Sequence, residues 1–581
     1  MILQKIKSKG KYPELSIYSI LIGYFLGILL AVSIGYTSLI LGFSIEGSEL
    51  AAILGFGLLR GVFKRDSMIE NNIVQTIASS VNAASAGLMF SIPALFIMNY
   101  AGEFNPTVIA FGGIAGAFLG ISFIIPLRKH MIEYERLTYP GGVAIAAILK
   151  SPGAGIEKVK KLIYAGILSG IFALIVQGTD LHFGGTGDYL NFSLFSWIGL
   201  PAYLNGTWQL SLLTVGIAFI AGRGSIPFVL GGFVCYWLIT PLLIQTGMMP
   251  LDPSTGQIFE NPNLLRSELF RPLGIGMLVG SALLGALLTF PLIFSTIQSM
   301  RDSAKTNSST SRDEMPVSFL YFAVIGAFIL LTFLAINSAQ KITIFHGLSI
   351  AFLGTIWIVI SCIILSEAVG RTNWSPLSGM TLIGVTLVII LMSSYDTKTS
   401  IVTAISVGGA MAVAMNQATD LMLDLKTGYL LGASPRQQQI AQFLGAWIGP
   451  IVVVMLILIL DKAYGIGSDR LPSPQAAVLA TTIEGILKGD APFLKYLAGA
   501  GIGGLIAPIS AGTAVTVALG FYLPFSIILT FSIGIVLREL SNRFFGKEWS
   551  ESQGIPIAAG LIIGEALVGV SIAMYIVFWG G

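Results

Sequence analysis

Residues 401–415 read IVTAISVGGAMAVAM, and residues 416–442 continue NQATDLMLDLKTGYLLGASPRQQQIAQ. The first run is small and apolar, and residues 443–460 (FLGAWIGPIVVVMLILIL) are apolar again. Asn416, Asp420 and Asp424 recur every fourth residue, so on a helix they form one polar stripe. Carboxylates at the end of a membrane-type helix are costly unless they face protein or water. Two readings stand side by side. In one, the helix has reached the aqueous interface, where Asp and the following Lys426 are ordinary. In the other, the stripe lines a path for a solute or ion. Gly432–Pro435 supplies the turn that closes the segment.

The rest of the chain supports a membrane setting. Of its 581 residues 54% are hydrophobic and 10% charged, with a mean hydropathy of +0.84. Soluble proteins carry about a quarter charged residues, so this is an all-α polytopic membrane protein whose main partner is the lipid bilayer. Its 68 glycines suit helices that approach closely in lipid. The apolar runs are too long and unalternating for an outer-membrane barrel. A net charge of +3 points to no nucleic-acid partner. Cys235 and Cys362 sit in apolar runs as packing residues, and His130, His182 and His346 are scattered. No His/Cys spacing builds a metal site and no Gly-rich Lys-Ser/Thr loop cradles ATP phosphates, so no metal or cofactor is expected. Uphill transport would draw on a gradient or a separate subunit.

Lys5, Lys7, Lys9 and Lys11 precede the first apolar run without a cleavage pattern. They predict an uncleaved first span with a cytoplasmic N-terminus in the cell membrane. Arg60, Lys64 and Arg65, then Arg128, Lys129 and Arg136, then Lys158, Lys160 and Lys161 mark further cytoplasmic loops. Apolar stretches near 16–36, 72–100, 106–126, 160–178, 208–246, 272–298, 317–337, 345–368, 400–424, 436–460, 493–537 and 555–579, with shorter ones near 48–62, 140–150, 375–394 and 473–488, predict about 14 to 16 spanning or re-entrant helices. The expected organisation is two weakly similar transmembrane halves, 1–300 and 317–581, joined by a polar linker at 301–316. The similarity rests on residues 137–150 (LTYPGGVAIAAILK) and 471–488 (LPSPQAAVLATTIEGILK). Each reads as a half-helix with a proline, Pro140 or Pro474, in its first turn, and each ends Ile-Leu-Lys. Paired short Pro/Gly-interrupted segments point to a transporter binding site. Whether the repeat is parallel or inverted stays open.

Polar residues inside apolar runs supply the other candidates. Asn72, Gln75, Ser79 and Asn82 step by three and four onto one helix face, either to hydrogen-bond a polar solute or to bond neighbouring helices. Glu565 has no charged neighbour in its run and is either a proton-carrying site or a cap on another helix. Glu484 lies in the second half-helix. Tyr522 precedes a helix break at Leu523-Pro524, where backbone carbonyls are exposed. Asp396 marks a loop, and Glu367 with Arg371 reads as an ion pair at a helix end.

Several segments together resemble the oligopeptide transporter family, which includes the yellow-stripe-like metal-chelate transporters. They are residues 70–95 (ENNIVQTIASSVNAASAGLMFSIPAL), 127–150 (LRKHMIEYERLTYPGGVAIAAILK) and 424–439 (DLKTGYLLGASPRQQQ). SPLSGMT from Ser375, PSPQAAV from Pro472, YLPFS from Tyr522 and IIGEALVGV from Ile562 add to them. The resemblance implies a non-enzymatic secondary transporter of small peptides or chelated metals, with protons as the coupling partner. It places Gln75, Tyr139, Asp424, Lys426, Tyr429 and Glu565 at or near the translocation path. With the residue-level reading, the expected solute-binding set is Asn72, Gln75, Ser79, Asn82, Tyr139, Asn416, Asp420, Tyr429 and Tyr522. The expected proton-coupling set is Asp424, Lys426, Glu484 and Glu565. The chain departs from the family at Val81-Asn82, at Gly141-Gly142 and at Ala146-Ala147, where carboxylates are expected in relatives, so its acidic residues cluster in the second half. A channel for a polar solute is the alternative. An intramembrane hydrolase built on Tyr395-Asp396 and Gly185–Asp188 is weaker, since the second motif falls in a polar loop. Self-association is left open.

Overall fold

In hydrocarbon a backbone must satisfy its own N–H and C=O groups, which branched and small apolar runs do by forming helices. The computed structural model describes the chain except residues 1–13, 43–46, 104, 151–154, 183–190, 194–203, 205, 250–264, 290–313, 340–341, 373–374, 376, 488–492 and 580–581. The basic N-terminal residues, linker residues 301–313 and the Gly185–Asp188 motif therefore lie outside the described residues. The principal helices in chain order are α1 (Ile17–Leu41), α2 (Gly47–Gly61), α3 (Met68–Ser91), α4 (Pro106–Ile124), α5 (Pro140–Leu149), α6 (Gly155–His182), α7 (Leu212–Ala221), α8 (Ile226–Phe233), α9 (Arg271–Thr289) and α10 (Val317–Asn337). They continue with α11 (Ile344–Thr372), α12 (Leu377–Leu391), α13 (Thr397–Leu431), α14 (Pro435–Ala446), α15 (Ile448–Tyr464), α16 (Pro474–Leu487), α17 (Phe493–Ile506), α18 (Ala511–Tyr522), α19 (Phe525–Phe544) and α20 (Ile555–Trp579). The strands among the described residues are one antiparallel pair, Asn191–Ser193 with Thr207–Gln209.

Among the described residues, twelve helical segments are long and apolar enough to cross a membrane, and four shorter apolar helices accompany them. Two long apolar runs are broken for local reasons. The run near 208–246 passes through a 3-10 turn at Gly222–Ser225 and a π-helical turn at Val234–Ile239. The run near 493–537 becomes three helices, the last beginning after Pro524, which has no N–H to continue the ladder.

The helix order repeats, displaced by about 330 residues: α1 corresponds to α11, α2 to α12, α3 to α13, α4 to α14–α15 and α5 to α16. Helices α2 and α12 are both 15 residues long. Helix α10 stands outside this series.

Contacts divide the chain into two compact units, each drawing on both sides of the linker. One comprises Met1–Ser38, Ser44–Val159 and Ala286–Leu458; the other comprises Leu39–Phe43, Lys160–Gly285 and Ile459–Gly581. At the centre of the first, α3 and α13 run antiparallel, with Gln75 opposite Asp424, Ser79 opposite Asp420 and Ala83 opposite Asn416. Because these are equivalent helices, their opposed directions make the repeat inverted. Small residues bring the backbones together. A Cβ on Gly116 or Gly120 of α4 would overlap the Ala410 and Ala414 carbonyls of α13, and one on Gly445 or Gly449 would overlap the Ile77 and Val81 carbonyls of α3. In the second unit Gly276 and Gly280 of α9 cross Gly499 and Gly503 of α17 in the same manner, and Gly560 and Gly564 of α20 cross Gly166 on α6.

Each unit also holds one half-helix start. The Tyr139 N–H donates to Gly370 O at 2.9 Å in the first unit, and the Ser473 N–H donates to Leu39 O at 2.8 Å in the second. Gly370 and Leu39 lie near the ends of the equivalent helices α11 and α1. Tyr139 and Ser473 both adopt left-handed backbone, φ 44° and 45°, immediately before a proline. Such a conformation costs an L-residue roughly 1–2 kcal/mol and persists where surrounding contacts hold it.

Candidate functional site

Helix α13 starts and stops on local signals. The Thr399 N–H and hydroxyl donate to the Asp396 carboxylate at 3.0 and 2.8 Å, which makes Asp396 the N-cap. Gly432 ends the helix in left-handed conformation, φ 78°. Between these ends the small residues of 401–415 let α3 and α4 approach, and the polar stripe begins where the small run stops.

Asp424 has no exposed surface, so bulk water does not account for it; Asn416 and Asp420 are partly buried. Ser79 Oγ lies 2.6 Å from Asp424 Oδ2 and 3.0 Å from Asp420 Oδ2. One hydroxyl proton thus serves two carboxylates. Gln75 Nε2 donates to Asp424 Oδ1, while Gln442 Nε2 donates to Asp420 Oδ2 at 3.1 Å and to Gln417 Oε1 at 2.8 Å. Gln438 Nε2 donates to the Asp424 carbonyl at 2.8 Å, and Gln417 Nε2 to the Ser80 carbonyl at 2.7 Å. The network joins α3, α13 and α14. Gln417, Gln438 and Gln442 are functional candidates that sequence reasoning left unassigned. Their signal was the i, i+4 spacing of Gln438 and Gln442 after the Gly432–Pro435 turn.

The other expected residues separate into distinct settings. Asn416 Nδ2 donates to Ala83 O at 2.8 Å, a bond that ties α13 to α3. Asn72 is fully buried with neither amide atom hydrogen-bonded among the described residues; Gln75 Oε1 and Asn82 Oδ1 are likewise unbonded. Lys426 Nζ donates to Leu137 O at 2.7 Å just before half-helix α5, and lies 5.9 Å from the centre of the Tyr429 ring, which is exposed. Thr427 Oγ1 donates to Gly142 O at 3.0 Å, so consecutive residues of α13 hold α5 and the segment that leads into it. Tyr139 is fully buried, its hydroxyl 3.4 Å from Met131 Sδ.

Tyr522, Glu484 and Glu565 belong to the second unit. The Tyr522 hydroxyl donates to Pro472 O at 2.7 Å, fixing the approach to half-helix α16. Glu484 lies on α16 and acts electrostatically on Tyr496. Glu565 accepts from Ser211 Oγ at 2.7 Å and from the Leu213 N–H at 2.9 Å, so it sits at the N-terminus of α7. Among the described residues no three His, Cys, Asp or Glu gather as a metal site.

A chain of many helices with paired half-helices and a buried carboxylate network has matching relatives. It is 27% identical to a putative oligopeptide transporter of Haemophilus influenzae, covering 93% of this chain and 92% of that one. It is 24% identical to the probable metal-nicotianamine transporter YSL10 of Oryza sativa subsp. japonica, over 96% of this chain and 90% of the relative. It is 26% identical to the probable metal-nicotianamine transporter YSL8 of Arabidopsis thaliana, over 83% and 74%. The family described as OPT oligopeptide transporter protein matches residues 14–576, and the chain is a multi-pass membrane transporter belonging to that family.

Proposed function

We propose that this chain is a secondary active transporter of small peptides or chelated metals, driven by protons through Asp424 and Asp420. The observation that carries the reading is the single Ser79 hydroxyl of α3 set between two carboxylates of α13, both helices long and apolar enough to cross a membrane. Intramembrane carboxylates mark proton relays and solute paths. Here the pair is flanked by amides that can hold either charge state: Gln75 and Gln442 each donate through nitrogen and keep an oxygen able to accept a carboxyl proton. The unbonded amide of Asn72, one turn before Gln75 and Thr76 on α3, is suited to meet a peptide-like solute. The names of the relatives, a putative oligopeptide transporter and probable metal-nicotianamine transporters, support both solute classes.

Purified protein in liposomes with an imposed pH gradient tests this. Uptake of a peptide or of an iron–nicotianamine complex is expected to follow the gradient. Asp424→Asn is expected to reduce gradient-driven uptake at least about tenfold, the effect of losing a charged hydrogen-bonded group worth about 1.5–3 kcal/mol. Undiminished gradient-driven uptake by a folded Asp424→Asn protein would remove Asp424 from the mechanism.

A further inference from the structure

The second unit holds a cluster of donors that the preceding reading does not use. Tyr236 is fully buried, packed at 5.2 Å against the Phe270 ring and 4.9 Å against Phe525. Its hydroxyl has no hydrogen-bond partner among the described residues. Arg266 is 6% exposed; one end of its guanidinium holds Asp469, and its Nε has no partner. Arg271, one turn along, places its guanidinium carbon 5.3 Å from the centre of the Tyr522 ring. Arg266 is close enough to both phenols to act on them electrostatically. Tyr522 in turn bonds the Pro472 carbonyl, so the cluster lies against the segment that leads into half-helix α16.

The chemistry of these orphaned atoms is one-sided. An arginine Nε can only donate, and a phenol hydroxyl beside a guanidinium donates outward. Buried donors left unmade cost about 1–3 kcal/mol each. The group that satisfies them together is an acceptor-only anion, which the guanidinium groups of Arg266 and Arg271 attract. Planar guanidinium groups match a carboxylate in two-point fashion. We propose that Tyr236, Arg266 and Arg271, the last seated on the Tyr522 ring, form a carboxylate-binding subsite that takes an acid group of the transported solute. The assignment rests on the transporter reading above and names the solute group recognised in this unit.

The test reads binding, so loss of proton-driven uptake alone leaves the subsite standing. Full-length protein in detergent is heated with trialanine or nicotianamine, each compared with its carboxyl methyl ester, and with inorganic phosphate. At least one free acid is expected to raise the unfolding temperature while its ester does not. Tyr236→Phe keeps the ring packing and removes only the hydroxyl; it and Arg271→Gln are expected to weaken acid binding at least about tenfold. Equal stabilisation by acid and ester, no stabilisation by either acid, a response to phosphate alone, or wild-type affinity in both variants would each overturn the proposal.

Discussion

Asp424 meets Ser79 and Gln75 across a helix interface, whereas Glu565 meets the first backbone N–H groups of α7. Both are acids in largely apolar helices, and no local pattern says which distant partner each will meet. Asp396 is a third case, outside the spanning segments and readable from its position before Thr397-Lys-Thr399. The Thr399 backbone N–H, with the Thr399 hydroxyl second, holds the Asp396 carboxyl below the usual carboxylate range. A carboxyl whose folded value is depressed stabilises the fold fully above its unfolded value, about 3.9, and loses that contribution as pH falls through the folded value. Asp396→Ala is therefore expected to melt below wild type near neutral pH. The gap should close as pH drops below about 4, measured by thermal unfolding across pH.

At the scale of elements, the glycines fall into two groups that composition does not distinguish. Gly116 and Gly449 face backbone carbonyls of α13 and α3, which cannot swing aside as a flexible side chain would. Gly326, inside α10, has nothing within 4 Å of where a Cβ would stand. Gly116→Ala and Gly449→Ala are expected to destabilise the protein by about 1–3 kcal/mol through forced helix separation. Gly326→Ala should be neutral or stabilising by up to about 1 kcal/mol. Thermal unfolding of the three variants in one detergent separates the groups, and equal effects would contradict the packing described. The half-helices behave similarly. Pro140 and Pro474 announced their starts, while the left-handed Tyr139 and Ser473 before them depend on Gly370 and Leu39, residues remote in sequence.

At the scale of the whole molecule, the antiparallel pairing of α3 with α13 puts the loop before α3 and the loop before α13 on opposite faces of the membrane. Lys64 and Ser394 are exposed in those loops, and the native cysteines, Cys235 and Cys362, are buried. A membrane-impermeant maleimide added to intact cells is expected to label only one of Lys64→Cys and Ser394→Cys, with both labelled after permeabilisation. Labelling of both in intact cells would contradict an inverted repeat. Hydropathy and periodicity by themselves determined the membrane solvent, the helical class, most helix positions and the stripe at Asn416, Asp420 and Asp424, because each is a property of neighbouring residues. Only the tertiary structure decided that the repeat is inverted, that Ser79 stands between two acids and that Glu565 caps a helix. Those outcomes turn on contacts between residues more than three hundred positions apart, and no local pattern encodes which distant donor a buried carboxylate will meet.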